Sequence, residues 1–124
     1  MDKEVVENLE KNNILKRKVL EIEDLVLKKH LKEAYDKVLK MIDYINVKYI
    51  KAKYNIDLKD KTMIDATEVY LKRDKFLFRD MQAVNCDYND VNFADMETID
   101  VEYLISYADV MYEHMIKNVG EFIK

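Results

Sequence analysis

His30 and Glu33 stand three residues apart, a spacing that puts both side chains on one face of a helix. Paired with matching ligands from a second helix, they would begin a di-metal carboxylate site. The Glu-x-x-His order such sites use is reversed here and occurs once. Glu113 and His114 are adjacent, so on a helix they point apart. Asp65, Glu68, Asp109 and Glu113 form two further carboxylate pairs that could hold Mg²⁺ or Mn²⁺ if they faced each other. Solvated surface charge accounts for them as well, and the reading is that no metal is bound. Ser106 is the only serine and has no histidine at a useful spacing for nucleophile activation. Cys86 lies in an acidic segment, which disfavours the thiolate. One glycine, Gly120, excludes a glycine-rich phosphate loop. These residues therefore point to a protein with no catalytic site and no cofactor.

The most informative chemistry is charge. From Met1 to Arg79 there are 19 basic and 15 acidic residues; from Asp80 to Lys124 there are 2 basic and 10 acidic. No lysine or arginine occurs between Asp80 and Ile116. Asp87, Asp90, Asp95, Glu97, Asp100 and Glu102, with Tyr103 and Tyr107 on one helical face, are the candidate partner-binding residues. Uncompensated negative charge steers toward a basic partner. It can equally imitate nucleic-acid phosphates and block a nucleic-acid-binding protein, as a phage-encoded inhibitor would. The plain alternative is neutralisation by the amino-terminal lysines, within the fold or across a dimer. Lys48, Lys51 and Lys53 alternate with Tyr49 and Tyr54, a pattern that can contact phosphates and stack bases. Those lysines are spread around their helix, and direct nucleic-acid binding is not expected.

The elements that must position these groups are helices. With no proline and one glycine, the chain lacks the turn chemistry a strand-rich fold needs. Its 124 residues, 49% hydrophobic, fit one domain with one core, spanning 1–124. Val5, Leu9, Leu15, Val19, Ile22 and Leu25 recur at helical spacing over Lys3–Lys29, with Asn12-Asn13 as a break and Asn13 as cap. A second stripe runs Leu31, Tyr35, Val38, Ile42, Ile45, Tyr49 and Ala52. A third helix, capped by Asp60 or Thr62, carries Met63 or Ile64, Thr67, Tyr70 or Leu71, and Leu77 or Phe78, and ends near Met81–Val84. Asn85–Met96 reads as an irregular stretch, because Asn and Asp bond their own backbone. Phe93 and Met96 are expected to tuck it onto the core. Thr98 or Asp100 caps a last helix bearing Val101, Leu104, Ala108, Met111, Met115, Val119 and Phe122. Tyr44, Tyr70, Tyr103, Tyr107 and Tyr112 are expected at the core edge, where the apolar body and polar tip of tyrosine also suit an interface. Four such helices, five if the first is split, must cover each other's stripes as an all-α up-and-down bundle.

No apolar run approaches the ~20 residues of a membrane span. Asp2, Lys3 and Glu4 open the chain without a signal-peptide pattern, and one cysteine allows no internal disulfide. A cytoplasmic protein is the expectation.

The order of signals resembles the HEPN superfamily of small helical bundles. Lys32 through Ile42 looks like that family's second helix, and Lys61-Thr62-Met63-Ile64-Asp65 is similar to a Lys-Thr-His-Asp segment of some members. Asn85 through Asp90, followed by Ile99–Lys124, resembles the family's polar loop and last helix. The resemblance covers about Leu25 to Lys124 and rests on pattern. The family's RNases carry Arg, four to six residues, then His. Here Tyr107, Ala108 and Asp109 precede His114 at those offsets, and Glu23, Asp24 and Leu25 precede His30. The resemblance thus implies a non-nucleolytic member: a homodimer that binds a protein partner, often a minimal nucleotidyltransferase, in a prokaryotic toxin–antitoxin or defence pair.

Overall fold

The computed structural model describes residues 3–59 and 62–124, with the side chains of residues 3, 4 and 62 also outside the description. Two 3-10 turns, Lys3–Val6 and Leu9–Lys11, lead into α1, Asn13–Leu27. The break at the asparagine pair is present, but the cap is Asn12. Its Oδ1 accepts the free N–H groups of Ile14 and Leu15, both at 3.0 Å, while Asn13 is already inside the helix. α1 ends in a left-handed residue: Lys29 has φ 64°. The N–H of Lys29 then reaches Val26 O and that of His30 reaches Leu25 O. This Schellman pattern ordinarily uses glycine, because a Cβ makes the left-handed conformation costly. Lys29→Gly is therefore expected to stabilise the protein by roughly 0.5–1 kcal/mol, read as a shift in urea midpoint at unchanged slope.

α2, Leu31–Tyr54, is the longest helix and buries Tyr35, Val38, Ile42, Ile45 and Tyr49 on its core side. The expected stripe fails only at its end, where Ala52 is exposed and Ile50 turns inward instead. Asn55 closes α2 at φ 58°, a left-handed position asparagine tolerates. The cap expected at Asp60 or Thr62 falls on residues outside the description.

The third predicted helix is two. α3 covers Thr62–Arg73 and α4 covers Lys75–Asp90. Asp74 separates them, its Oδ1 accepting the Leu77 N–H at 3.0 Å. α4 then continues through Asn85–Asp90, which the sequence reading made irregular. The physical reason is that these polar side chains find partners away from their own backbone. Asp87 accepts the Tyr35 hydroxyl at 2.6 Å, and Asn85 donates to Thr67 Oγ1 at 3.3 Å. Without local competition, the helix persists. The irregular segment is confined to Val91–Glu97 and contains a 3-10 turn at Phe93–Asp95. Phe93 and Met96 do pack against the core.

α5, Thr98–Val119, begins one residue before its expected cap: Glu97 is the N-cap, and the Asp100 carboxylate accepts the Glu97 N–H at 2.8 Å. Gly120, φ 76°, ends it. The following residues return to the chain's beginning. Asn12 donates to Ile123 O at 2.7 Å and to Glu121 Oε1 at 3.1 Å, and Ile123 is buried.

α2 and α5 form the most extensive pairing. α1 and α3 pack on α2, α4 packs on α3 and α5, and the 3-10 turns pack on α5. The result is an all-α protein of five helices, with no strand among the described residues. None of its described helices is long and apolar enough to cross a membrane.

Candidate functional site: an acidic face on the fourth and fifth helices

Five of the eight candidate residues converge. Asp87 and Asp90 end α4, Asp95 and Glu97 lie on the connection, and Asp100 opens α5. Together with Val91, Asn92 and Ile99 they line one open basin of roughly 440 Å³. The connection achieves this because Asn92 Oδ1 accepts the Ala94 N–H at 3.0 Å, and its amide donates to Asp95 at 3.1 Å. That turn folds the end of α4 back toward the start of α5.

Among the described residues, no lysine, arginine or histidine nitrogen lies within 4.0 Å of any of these five carboxylates or of Glu102. The lysine pairs lie elsewhere: Lys28 with Asp24, Lys37 with Glu21, Lys51 with Asp57, and Lys117 with Glu113. The first three stay within the amino-terminal half. Direct ion pairs with the chain's own lysines are thus not made there among the described residues, while the Lys32 amino group lies over the Phe93 ring of the connection, 5.5 Å from its centroid. Asp87 is held instead by Tyr35, whose hydroxyl is pushed well above its ordinary value, first by burial and then by the Asp87 carboxylate. Tyr35 therefore stays protonated and keeps donating. Its ring meets Phe93 edge-on at 5.6 Å, which fixes the floor of the turn.

The other three candidates lie farther along α5. Tyr103 is 59% exposed and meets Tyr107 edge to face at 6.0 Å. The Tyr107 hydroxyl is pushed up by burial, then by Tyr103, Asp87 and Asp80, which puts α4 carboxylates beside α5. Glu102 is partly exposed on the same helix. Sequence reasoning missed the company these tyrosines keep. Ile99 and Val110 are also exposed, so α5 carries a second apolar stripe, Ile99–Tyr103–Val110, on its solvent side. The signal was available: residues 99, 103 and 110 are spaced as i, i+4, i+11.

Several sequence expectations change here. Tyr70 and Tyr112, expected at the core edge, are fully buried, as are Tyr35 and Tyr49. Each has a hydroxyl partner: Tyr70 donates to Asn46 at 2.7 Å and Tyr112 to Glu121 at 2.6 Å. Burial is possible because the polar tip is satisfied. Tyr49 cannot stack a nucleic-acid base, since its ring is inside and its hydroxyl accepts from Asn118. The Asp109–Glu113 pair does not face Asp65–Glu68. Asp109 is buried and accepts from the Leu9 N–H and the Asn8 amide, both at 2.9 Å. His30 and Glu33 are exposed and 3.9 Å apart. Among the described residues, no three His, Cys, Asp or Glu side chains are placed to hold a metal ion.

His114 is partly buried and serves as a joint. Its Nε2 lies 2.8 Å from Asp74, the residue that caps α4, and its ring stacks on Phe76 at 4.4 Å. It ties the α3–α4 break to α5. Next to it, burial raises the Asp80 carboxyl, partly offset by His114. Burial also raises Asp109, against the hydrogen bonds from Leu9 and Asn8. A raised carboxyl means the folded chain holds its proton more tightly than the unfolded chain does. Stability should then fall as pH rises from the ordinary 3.8 through the raised folded-state range. The double substitution Asp80→Asn, Asp109→Asn is expected to flatten that decline, measured by urea unfolding from pH 4 to 7.

The fold and this face define a small five-helix protein with a basin of carboxylates that, among the described residues, make no ion pair within 4.0 Å. No protein-family model matches the chain, and neither a curated protein nor a solved structure matches it.

Proposed function

We propose that the chain is a non-catalytic protein-binding module that takes a positively charged partner protein on the acidic face of α4 and α5. The observation that carries this is the basin of Asp87, Asp90, Asp95, Glu97 and Asp100, which has no cation of its own within 4.0 Å among the described residues. Clustered like charges repel one another and slightly destabilise a compact chain. Opposite charge on a partner relieves that repulsion and speeds encounter.

The test is capture of partners from the source cell's lysate, followed by calorimetry with the purified partner. Asp90, Asp95 and Glu97 are exposed, but Asp95 holds the Asn92 turn and Glu97 caps α5. The triple reversal to lysine is therefore paired with Asp90→Asn, Asp95→Asn, Glu97→Gln, which keeps an oxygen at each position, and the helix content of both is checked by circular dichroism. The lysine variant should weaken binding by about 100-fold or more, because like charges then face each other. Wild-type affinity should fall steeply with added salt. Undiminished binding by the variant would remove the proposal. Competition by DNA or RNA for the captured partner would distinguish phosphate mimicry from simple attraction.

The resemblance to HEPN bundles adds a setting to this reading: a toxin–antitoxin or defence pair in the cytoplasm, with the module as a homodimer. Light scattering after size exclusion tests the dimer, and a strict monomer removes it.

A further inference from the structure

We propose that the solvent side of α5 is the docking site for an amphipathic helix of the partner, with lysines or arginines flanking its apolar seam. This rests on the reading above and specifies the partner element. The stripe Ile99, Tyr103 and Val110 is 62%, 59% and 45% exposed. Eleven residues of helix advance about 16 Å, or three turns, which matches a short helical ligand read at i, i+4, i+11. The opposite side of α5 buries Val101, Leu104, Ile105, Ala108, Met111 and Met115. A helix apolar on both sides is ordinarily covered on both.

Charge complementarity selects the occupant. At 100° per residue, Glu102 and Glu113 lie along one flank of the stripe, on the side of Asp109 and the 3-10 turns. Asp100 lies along the other flank, with Asp80 and Asp87 of α4 beyond it, next to Tyr107. The stripe is therefore bordered by carboxylates on both sides. Lys117, in line with Ile99, is the sole lysine or arginine on this helix and pairs with Glu113 at 3.6 Å, and His114, on the Asp100 side, is held by Asp74 at 2.8 Å. A second copy fits poorly. Antiparallel two-fold pairing sets the Glu102–Glu113 flank against itself, and parallel pairing sets it against the Asp flank. A helix with cations on both edges meets opposite charge everywhere.

The probe is a labelled 15-residue peptide with a leucine seam flanked by lysines. It is compared with the same seam flanked by glutamates and with a proline-broken lysine version. Fluorescence anisotropy gives affinity, and amide chemical shifts of the full chain locate the site. The lysine helix should bind, with shifts centred on Ile99, Tyr103 and Val110, and the other two should not. Val110→Asp and Tyr103→Ala should each weaken it about 10-fold, the size of an anchor residue's loss. Leu27→Asp, at an exposed leucine of α1 and not of α5, should not weaken it. No binding, equal binding of the glutamate or broken peptide, or no effect of Val110→Asp overturns the proposal. So does self-association of the wild-type chain that Val110→Asp abolishes. If Val110→Asp is silent but the Asp90, Asp95, Glu97 reversal releases the peptide, the stripe is wrong and the basic-partner reading stands.

Discussion

Tyr49→Ala is expected to cost about 3–5 kcal/mol, the range for deleting a fully buried aromatic ring. Tyr49 has no exposed surface and stands where four elements meet. Its ring contacts Tyr54 at 6.3 Å, Tyr70 at 6.4 Å and Phe122 at 5.5 Å. Removing it leaves a cavity that three rigid neighbours cannot close, and it ends the hydrogen bond from Asn118. Domains of this size are commonly stable by only ~5–15 kcal/mol, so the loss takes about a fifth or more of the total. Tyr49→Phe isolates the polar part. It keeps the ring contacts, loses the 3.0 Å bond from Asn118, and should cost only about 0.5–1.5 kcal/mol. Urea titrations followed by circular dichroism measure both. A Tyr49→Ala loss below about 1 kcal/mol would mean the aromatic cluster is not close-packed.

The second large effect is at Asn12, where one side chain does two jobs. Its oxygen caps α1, and its amide nitrogen holds the carbonyl of Ile123 and the carboxylate of Glu121. Loss of the cap alone costs about 1–2 kcal/mol. Leaving a buried carbonyl without a partner adds about 1–3 kcal/mol. Asn12→Ala should therefore cost roughly 2–5 kcal/mol. Asn12→Asp separates the two jobs. It retains a capping oxygen but turns an acceptor toward Ile123 O and Glu121. The introduced carboxyl should titrate above the ordinary carboxylate range, so this variant should regain stability as pH falls and lose it as pH rises. Urea midpoints at pH 4.5 and 7 check the sign. A pH-independent loss would show that Asn12 acts as a cap alone.

The long apolar stripes of α2 and α5 were legible because each keeps one period over many turns, and their buried residues are nearly the expected ones. The break at Asp74 was not. Asp74 is flanked by Arg73 and Lys75, both good helix formers, and no glycine or proline marks the kink. The break depends on the Asp74 side chain capping α4 while His114, forty positions later, holds its other oxygen. The helical state of Asn85–Asp90 was hidden for the same reason. Local propensity argued against it, and the contact from Tyr35 that decides it is fifty-two residues away. Asn46 is the clearest case. It lies on the core side of α2 with no exposed surface, where polarity would count against burial, yet it serves the Tyr70 hydroxyl and Met81. The acidic face was half legible. Composition revealed the charge run, but its convergence into one basin requires the turn at Asn92.

The clasp between Asn12 and Ile123, and that between Leu9 and Asp109, join groups 111 and 100 positions apart. A ribosome releases Leu9 and Asn12 about a hundred residues before the partners that hold them. These turns thus leave the exit tunnel well before they can be secured. Until then Val6 and Leu9, which end with no exposed surface, remain open to chaperones on the nascent chain.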